Sequence, residues 1–404
     1  LWRNKEKNMR KAIQSLVILG SLLGGVAYAQ DTAEVQQAVD GLSDAFAKDI
    51  ALRWKWKGDF RVRNENIVQD YSIDRNRSRV RVRLGFEAEV NPTVKAGFQF
   101  ATTESGDARS SNQTLGDVNS RKALDLDLAY VEWAPNAATK VTLGKMKQPL
   151  AMTTSYFVDK DINPEGAALA FNHAPTGAFV NAALFDLVER SSTSDSTAVA
   201  LQVGLRGKLN DDTSYVLAAG EMKHHNVKNF AVVQSGSAGG FFGNSTKMVG
   251  CVGATACLSN EFEVRNVLAE VSTIVADQPV VLFVDWAENT KAVKFNKALA
   301  YGVTLGKASL PNSWEVGVVS QKVEKDALFG QWIDSDYAAG NTDGDGYTLR
   351  GAYQVAKNWK LNVAYHMNET NNDVPFFAIV AGSSVVQVYD REYNRLQLDL
   401  NYAF

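Results

Sequence analysis

From Trp54 onward, apolar and polar residues alternate with a period of two. In KWKGDFRVRNE (55–65), Trp56, Phe60 and Val62 share one parity, and Lys55, Lys57, Asp59, Arg61 and Arg63 share the other. RNRSRVRVRLGFEAEV (75–90) places Val80, Val82, Leu84, Phe86, Ala88 and Val90 on one face. Its other face holds Arg75, Arg77, Arg79, Arg81 and Arg83, then Glu87 and Glu89. Side chains alternate across a strand, so each such segment has an apolar and a charged face. The pattern predicts strands over 54–65, 75–90, 93–102, 122–134, 139–148, 166–173, 177–187, 197–209, 213–224, 261–275, 279–289, 298–309, 313–324, 346–356, 358–368 and 388–404. The links alternate too. Short turns such as Asn91-Pro92, Pro135-Asn136, Asp277-Gln278 and Lys357-Asn358 are separated by long loops, among them 103–121, 149–165, 225–260 and 325–345. A soluble sandwich would bury the apolar faces against a second sheet, but it would not sort its links by length. An even strand number with short turns at one end and long loops at the other is the layout of a membrane barrel. The expected fold is all-β: a 16-stranded antiparallel transmembrane β-barrel over 53–404, with short periplasmic turns and long extracellular loops.

Before the strands the period changes. Val35, Val39, Leu42, Phe46 and Ile50 mark one face of a helix. A short periplasmic helical segment is expected over 30–52, either as a brief coiled coil that helps copies assemble or as an amphipathic tail. Residues 1–29 read as upstream residues and a signal peptide: Met9, basic Arg10 and Lys11, an apolar run from Leu16 to Val26, and Ala27-Tyr28-Ala29 as the cleavage site. A short membrane anchor is the alternative.

Composition narrows the classes. The chain is 22% charged with mean hydropathy −0.19. No run reaches the ~18 apolar residues that a membrane-spanning helix needs; a barrel escapes that limit because half of each strand faces water. The formal net charge is −3, and −7 without the leader's five cations and one acid. No nucleic-acid partner is expected. The two cysteines, Cys251 and Cys257, are a candidate disulfide in an exported chain.

The arginine row is the main candidate chemistry. On a lipid-facing surface each arginine would cost ~2–4 kcal/mol at the midplane. Arg75, Arg77, Arg79, Arg81 and Arg83 are therefore expected to line a water-filled lumen, joined by Arg61 and Arg63 on the preceding strand. Guanidinium grips carboxylate and phosphate in two-point fashion, and a charged lining sets ion selectivity. Arg391 and Arg395 come close if the barrel closes. The third long loop, PLAMTTSYFVDKDINPE (149–165), carries Asp159, Asp161 and Glu165; an acidic loop facing a basic wall would set up a transverse field. The alternative is structural pairing of the arginines with Glu87, Glu89, Asp125 and Asp127. Asn341, Asp343, Asp345 and Gly346 copy half of a calcium loop, but position twelve is Ala352. His224-His225 at the mouth of the longest loop reads as a solvated pair. The four histidines sit in no nucleophile context, so neither an enzyme nor a metal or cofactor is expected.

Several segments carry a family resemblance: RNRSRVRVRLGFEAEV at 75–90, SNQTLGD at 111–117, LDLAYVEWAP at 126–135, LGKMKQP at 143–149, DINPEGAA at 161–168, DSDYAAGNTDGDGY at 334–347 and RLQLDLNYAF at 395–404. The chain resembles the porins of Gram-negative outer membranes, relatives of the phosphate-selective porins. The resemblance implies a homotrimer in the outer membrane that passes small hydrophilic solutes. It also implies a third loop folded into the lumen as a constriction. The implied partners are the lipid bilayer, lipopolysaccharide and, through the terminal Phe404, the barrel-assembly machinery. Mild anion preference is expected. A substrate-specific phosphate or carboxylate channel is the alternative, disfavoured by Asp59, Glu65, Asp285 and Glu315 on lumen-facing positions.

Overall fold

The computed structural model describes residues 40–41, 54–104, 106–152, 157–232, 240–380 and 384–404. The leader lies outside the described residues, and so does the 30–52 segment except for residues 40 and 41.

Sixteen strands form the wall. They are β1 (Trp54–Gln69), β2 (Arg75–Asn91), β3 (Val94–Thr102), β4 (Leu124–Trp133), β5 (Thr139–Lys145), β6 (Glu165–His173), β7 (Ala178–Val188), β8 (Ser196–Lys208), β9 (Ser214–His225), β10 (Glu263–Val275), β11 (Gln278–Asn289), β12 (Lys297–Gly306), β13 (Trp314–Val323), β14 (Gly344–Ala356), β15 (Trp359–Thr370) and β16 (Arg391–Ala403). Each pairs antiparallel with the next, and β16 returns to β1 from Asp59↔Ala403 to Gln69↔Tyr393. The backbone of Phe404 completes the seam, exchanging hydrogen bonds with Gly58 at 3.0 and 3.1 Å. Closure leaves no unpaired edge, which a lipid environment requires. A two-residue strand, Gln113–Thr114, adds to β2 from the second long loop.

The period-two segments all became strands, with shifted ends. β1 runs on to Gln69 because pairing continues through polar residues, Glu65↔Arg77 and Ile67↔Arg75, after the apolar alternation has faded. The turn expected at Asp277-Gln278 sits one residue earlier. Ala276 and Asp277 have φ of 48° and 61°, the left-handed pair of a two-residue hairpin turn, and Val275 pairs with Gln278.

The outward parity carries an apolar belt. Leu84, Val131, Leu184, Leu201, Leu282, Val316, Leu361 and Leu398 are all exposed on the outer surface. Aromatic rings gather at the short-turn end, where Trp54 stacks on Phe86 at 4.6 Å and Trp359 packs against Tyr402 at 4.8 Å between ring centroids. This is the interfacial band of a membrane barrel.

The inward parity differs around the circumference. β1, β2 and β16 present arginines and acids. β7 to β13 present Ala183, Phe185, Ala198, Ala200, Ala218, Leu268, Phe283, Ala287, Ala298, Ala300 and Val319, all buried. These strands are largely apolar on both faces, so something must cover them from inside. Two long loops do so: the third (146–164) and the seventh (324–343). Phe157 of the third loop and Leu328, Ile333 and Tyr337 of the seventh pack with Phe283, Ala300 and Val319 in one core. The main core of this barrel therefore lies within the lumen.

Candidate functional site

The two loops are tied to each other. The amide of Asp159 donates to Trp332 O at 2.9 Å, and the Asp159 carboxylate accepts from the amides of Ser335 at 2.8 Å and Asp161 at 2.9 Å. Tyr337 anchors the seventh loop to the wall; its hydroxyl lies 2.7 Å from Gln321 O and 3.0 Å from Gly344 O. What remains open beside the loops is a cavity of about 560 Å³ bounded by β1, β2, β13 to β16 and both loops.

The basic residues at its wall are Arg61, Arg63, Arg81, Arg83, Arg109, Lys160 and Arg350. The acids are Asp159, Asp161, Glu315, Asp334, Asp336 and Asp399. Period two on β1, β2 and β16 delivers the arginines to one face, and most of them are held by carboxylates. Arg63 grips Asp399 with two bonds, at 2.7 and 2.9 Å, and reaches Asp336 at 3.2 Å. Arg81 and Arg83 share Asp59 at 2.7 and 2.6 Å, and Arg83 also meets Asp161 at 3.4 Å. Arg61 bonds through Nε to Asn401 at 2.9 Å and lies 3.5 Å from Asp399.

Deeper in the wall, Glu65 is fully buried and receives Arg77 at 2.5 Å, Arg395 at 2.7 Å, Arg63 at 3.4 Å and Arg79 at 3.6 Å. Arg79 continues to Glu104 at 3.1 Å and to Asn112 O at 2.7 Å. Arg395 also pairs with Asp336 at 2.8 Å. Removing one partner from a buried, hydrogen-bonded ion cluster is strongly destabilising.

The loop acids fall into two classes. Burial works to raise Asp161, but Arg81, Arg83 and hydrogen bonds from Ser111 outweigh it and hold the carboxyl below its ordinary range. Burial acts likewise on Asp336, and Arg395 and Arg63 hold it well below. Asp334 has less compensation: burial and the neighbouring Asp336 push it up to about 7. Burial and the nearby Asp334 and Asp161 raise Asp159 well above its usual value. Both acids hold their protons more tightly than an ordinary aspartate and so offset the cations less than Asp161 and Asp336 do.

The sequence-derived candidates distribute as follows. Arg61, Arg63, Arg81 and Arg83 line the cavity with Asp159 and Asp161. Arg77 and Arg79 lie behind it, bound to Glu65. Arg75 is exposed at the long-loop mouth. Glu165 is not a loop residue: pairing of Lys145 with Glu165 already starts β6 there, and its side chain meets Lys145 at 2.8 Å. Residues 153–156 of the third loop lie outside the described residues. The arginines pair with Asp59, Glu65, Glu104, Asp161, Asp336 and Asp399; Glu87 and Glu89 instead meet Lys57, Lys55 and Lys95. Cys251 and Cys257 are at bonding distance, S–S 2.08 Å. Asp343, from the half calcium loop, accepts the amides of Asp373 and Val374 and so pins the eighth loop. His224 is buried inside the barrel against Phe262 and Phe329, whereas His225 is exposed, so the two do not face one ligand.

The seventh loop was the omission. Its Asp334, Ser335 and Asp336 enter the site, and Arg109 from the second long loop closes on it through Gly340 O at 2.8 Å. The signal was available in AFVNAALF (178–185) and PVVLFVDWA (279–287), where the lumen face carries one polar residue each, Asn181 and Asp285, among apolar ones.

A family described as "Putative porin" matches residues 59–238 and 257–381. No curated protein matches the chain. Among solved structures, OprB of Pseudomonas putida at high pH superposes with a TM-score of 0.56 at 12% identity, covering 90% of this chain and 97% of that one. OmpT of Vibrio cholerae, in its trimer form, gives 0.48 at 13%, covering 87% and 100%. A Rhodopseudomonas blastica porin variant gives 0.46 at 11%, also covering 87% and 100%. At such identities the likeness is one of fold, and OprB carries it.

Proposed function

The chain belongs to the putative porin family, and on that premise we propose that it is a passive channel for small hydrophilic solutes with an arginine-lined constriction and a mild preference for anions. Membership makes it an outer-membrane channel protein rather than an enzyme. The observation that carries the finer reading is the cavity between the arginine wall and the infolded loops. Seven cations face six acids there, and two of the acids, Asp159 and Asp334, hold their protons more tightly than usual. The balance of charge there is positive, and a charged lining acts strongly on ions that pass close to it. The ion pairs also keep the long guanidinium chains extended, so that wall and field hold their shape.

Planar-bilayer recording tests the proposal. A steady ohmic conductance is expected, with a reversal potential on the anion side in a salt gradient. Clear cation preference overturns the reading. Small conductance blocked by phosphate or carboxylates would mark the substrate-specific anion channel instead, and electrical silence a plugged barrel. Export by the 1–29 leader, insertion by the barrel-assembly machinery, contact with lipopolysaccharide and assembly as a homotrimer belong to the same proposal. Native mass spectrometry of the detergent-extracted protein checks the last; a monomer contradicts it.

A further inference from the structure

The two infolded loops have two faces. One bears the aspartates of the constriction. The other turns Phe157, Val158, Leu328, Phe329 and Trp332 toward β8 to β11. There it closes a second chamber, of about 110 Å³, against Met222, Val264, Leu268 and Ala287. The small inward residues of this wall leave the space. A cavity of ~150 Å³ lined by Leu, Ile and Phe side chains accommodates a benzene ring; this one has room for a single ring and little more.

Gln148, Gln202, Glu221, His224, Asn266 and Asp285 are the polar members of the lining. Gln202 is satisfied by Ala151 and Asn181, and Asn266 sits half-buried on β10 across from Gly220. His224 is buried on β9. Its Nδ1 lies 3.2 Å from Phe262 O, and a carbonyl only accepts, so Nδ1 carries the proton. Nε2 is left with no partner, among Phe262, Phe329 and Trp332. Aromatic surroundings of this kind do not favour a charged ring, so Nε2 is an acceptor without a donor. Buried polar groups normally find partners, and those that do not call for an explanation.

We propose that this chamber binds a small aromatic molecule carrying one hydroxyl, with the ring against the apolar wall and the hydroxyl donating to Nε2 of His224. The site is separate from the ion path and does not depend on the charge preference of the channel.

Fluorine NMR of the folded full chain in detergent, with 4-fluorophenol and fluorobenzene as probes, tests this. Wild type is expected to bind 4-fluorophenol more tightly than fluorobenzene. His224→Phe should weaken 4-fluorophenol about fivefold, the worth of one neutral hydrogen bond, and leave fluorobenzene unchanged. Met222→Trp, which fills the chamber, should weaken both about tenfold or more. Each variant is first checked for the gel mobility of a closed barrel. Equal binding of both probes by wild type, or full binding by Met222→Trp, means that the probes partition into detergent and overturns the proposal. Conductance recorded on the same preparations separates that failure from failure of the channel reading.

Discussion

Glu65 and Tyr337 are both almost wholly buried inside one barrel, yet opposite means hold them. Glu65 belongs to a wall in which long cationic side chains reach across strands to shared carboxylates. Tyr337 belongs to a loop whose apolar side chains lie on small residues of β12 and β13 and whose hydroxyl reaches wall carbonyls. The charged wall holds its side chains extended because its guanidinium groups are tied to carboxylates across the strands. The apolar wall cannot face water, and it draws two loops inward to cover it. The loops therefore fill the lumen from the side that has least charge, toward the side that has most of it.

The largest expected effect breaks the charged wall. Glu65→Ala leaves Arg63, Arg77, Arg79 and Arg395 crowded without their shared acid; it should cost about 3–5 kcal/mol, read as a lower unfolding midpoint in detergent. A loss under about 1 kcal/mol would mean that water already screens the cluster. Tyr337→Ala breaks the other side and should cost about 3 kcal/mol. It should also raise single-channel conductance, because the seventh loop loses its anchor. Unchanged conductance would show that the loop is held elsewhere. Tyr337→Phe keeps the ring and loses only the hydrogen bond, about 1 kcal/mol, with conductance unaltered. The smallest effect is a titration. Burial and Asp336 push Asp334 up to about 7, so raising the pH from about 5.5 to about 8.5 adds negative charge to the cavity it lines. Anion preference should fall by about a factor of two over that range. The sign for stability is the same, since an acid whose folded-state pKa is raised stabilises the fold at low pH and loses that contribution as the pH passes its pKa.

Backbone architecture was legible from one property, the period of two. It places Leu84 outward and Arg83 inward without reference to any neighbour, and a closed sheet needs little else. Even so, the strand ends at Gln69 and Lys145 escaped it, because backbone pairing and loop re-entry do not follow hydropathy. The arginine wall was legible for the same reason as the strands, whereas its partners were not. Which carboxylate meets Arg63 depends on the register of β1 against β16 and on a loop from residue 336, nearly the whole chain apart in sequence. The seventh loop carries acids and glycines that look like surface, and only the double-sided apolar strands opposite it hinted that it turns inward.

The central claim is that ions pass along the arginine side. Arg61 and Arg83 both face the cavity there and both retain partial exposure. Reversal potential in a potassium chloride gradient, compared between wild type and the Arg61→Gln, Arg83→Gln double variant, tests it most directly. The account predicts an anion-side potential for wild type that collapses to zero or crosses to the cation side in the variant. An unchanged potential in a correctly folded variant would place the ion path elsewhere and contradict it.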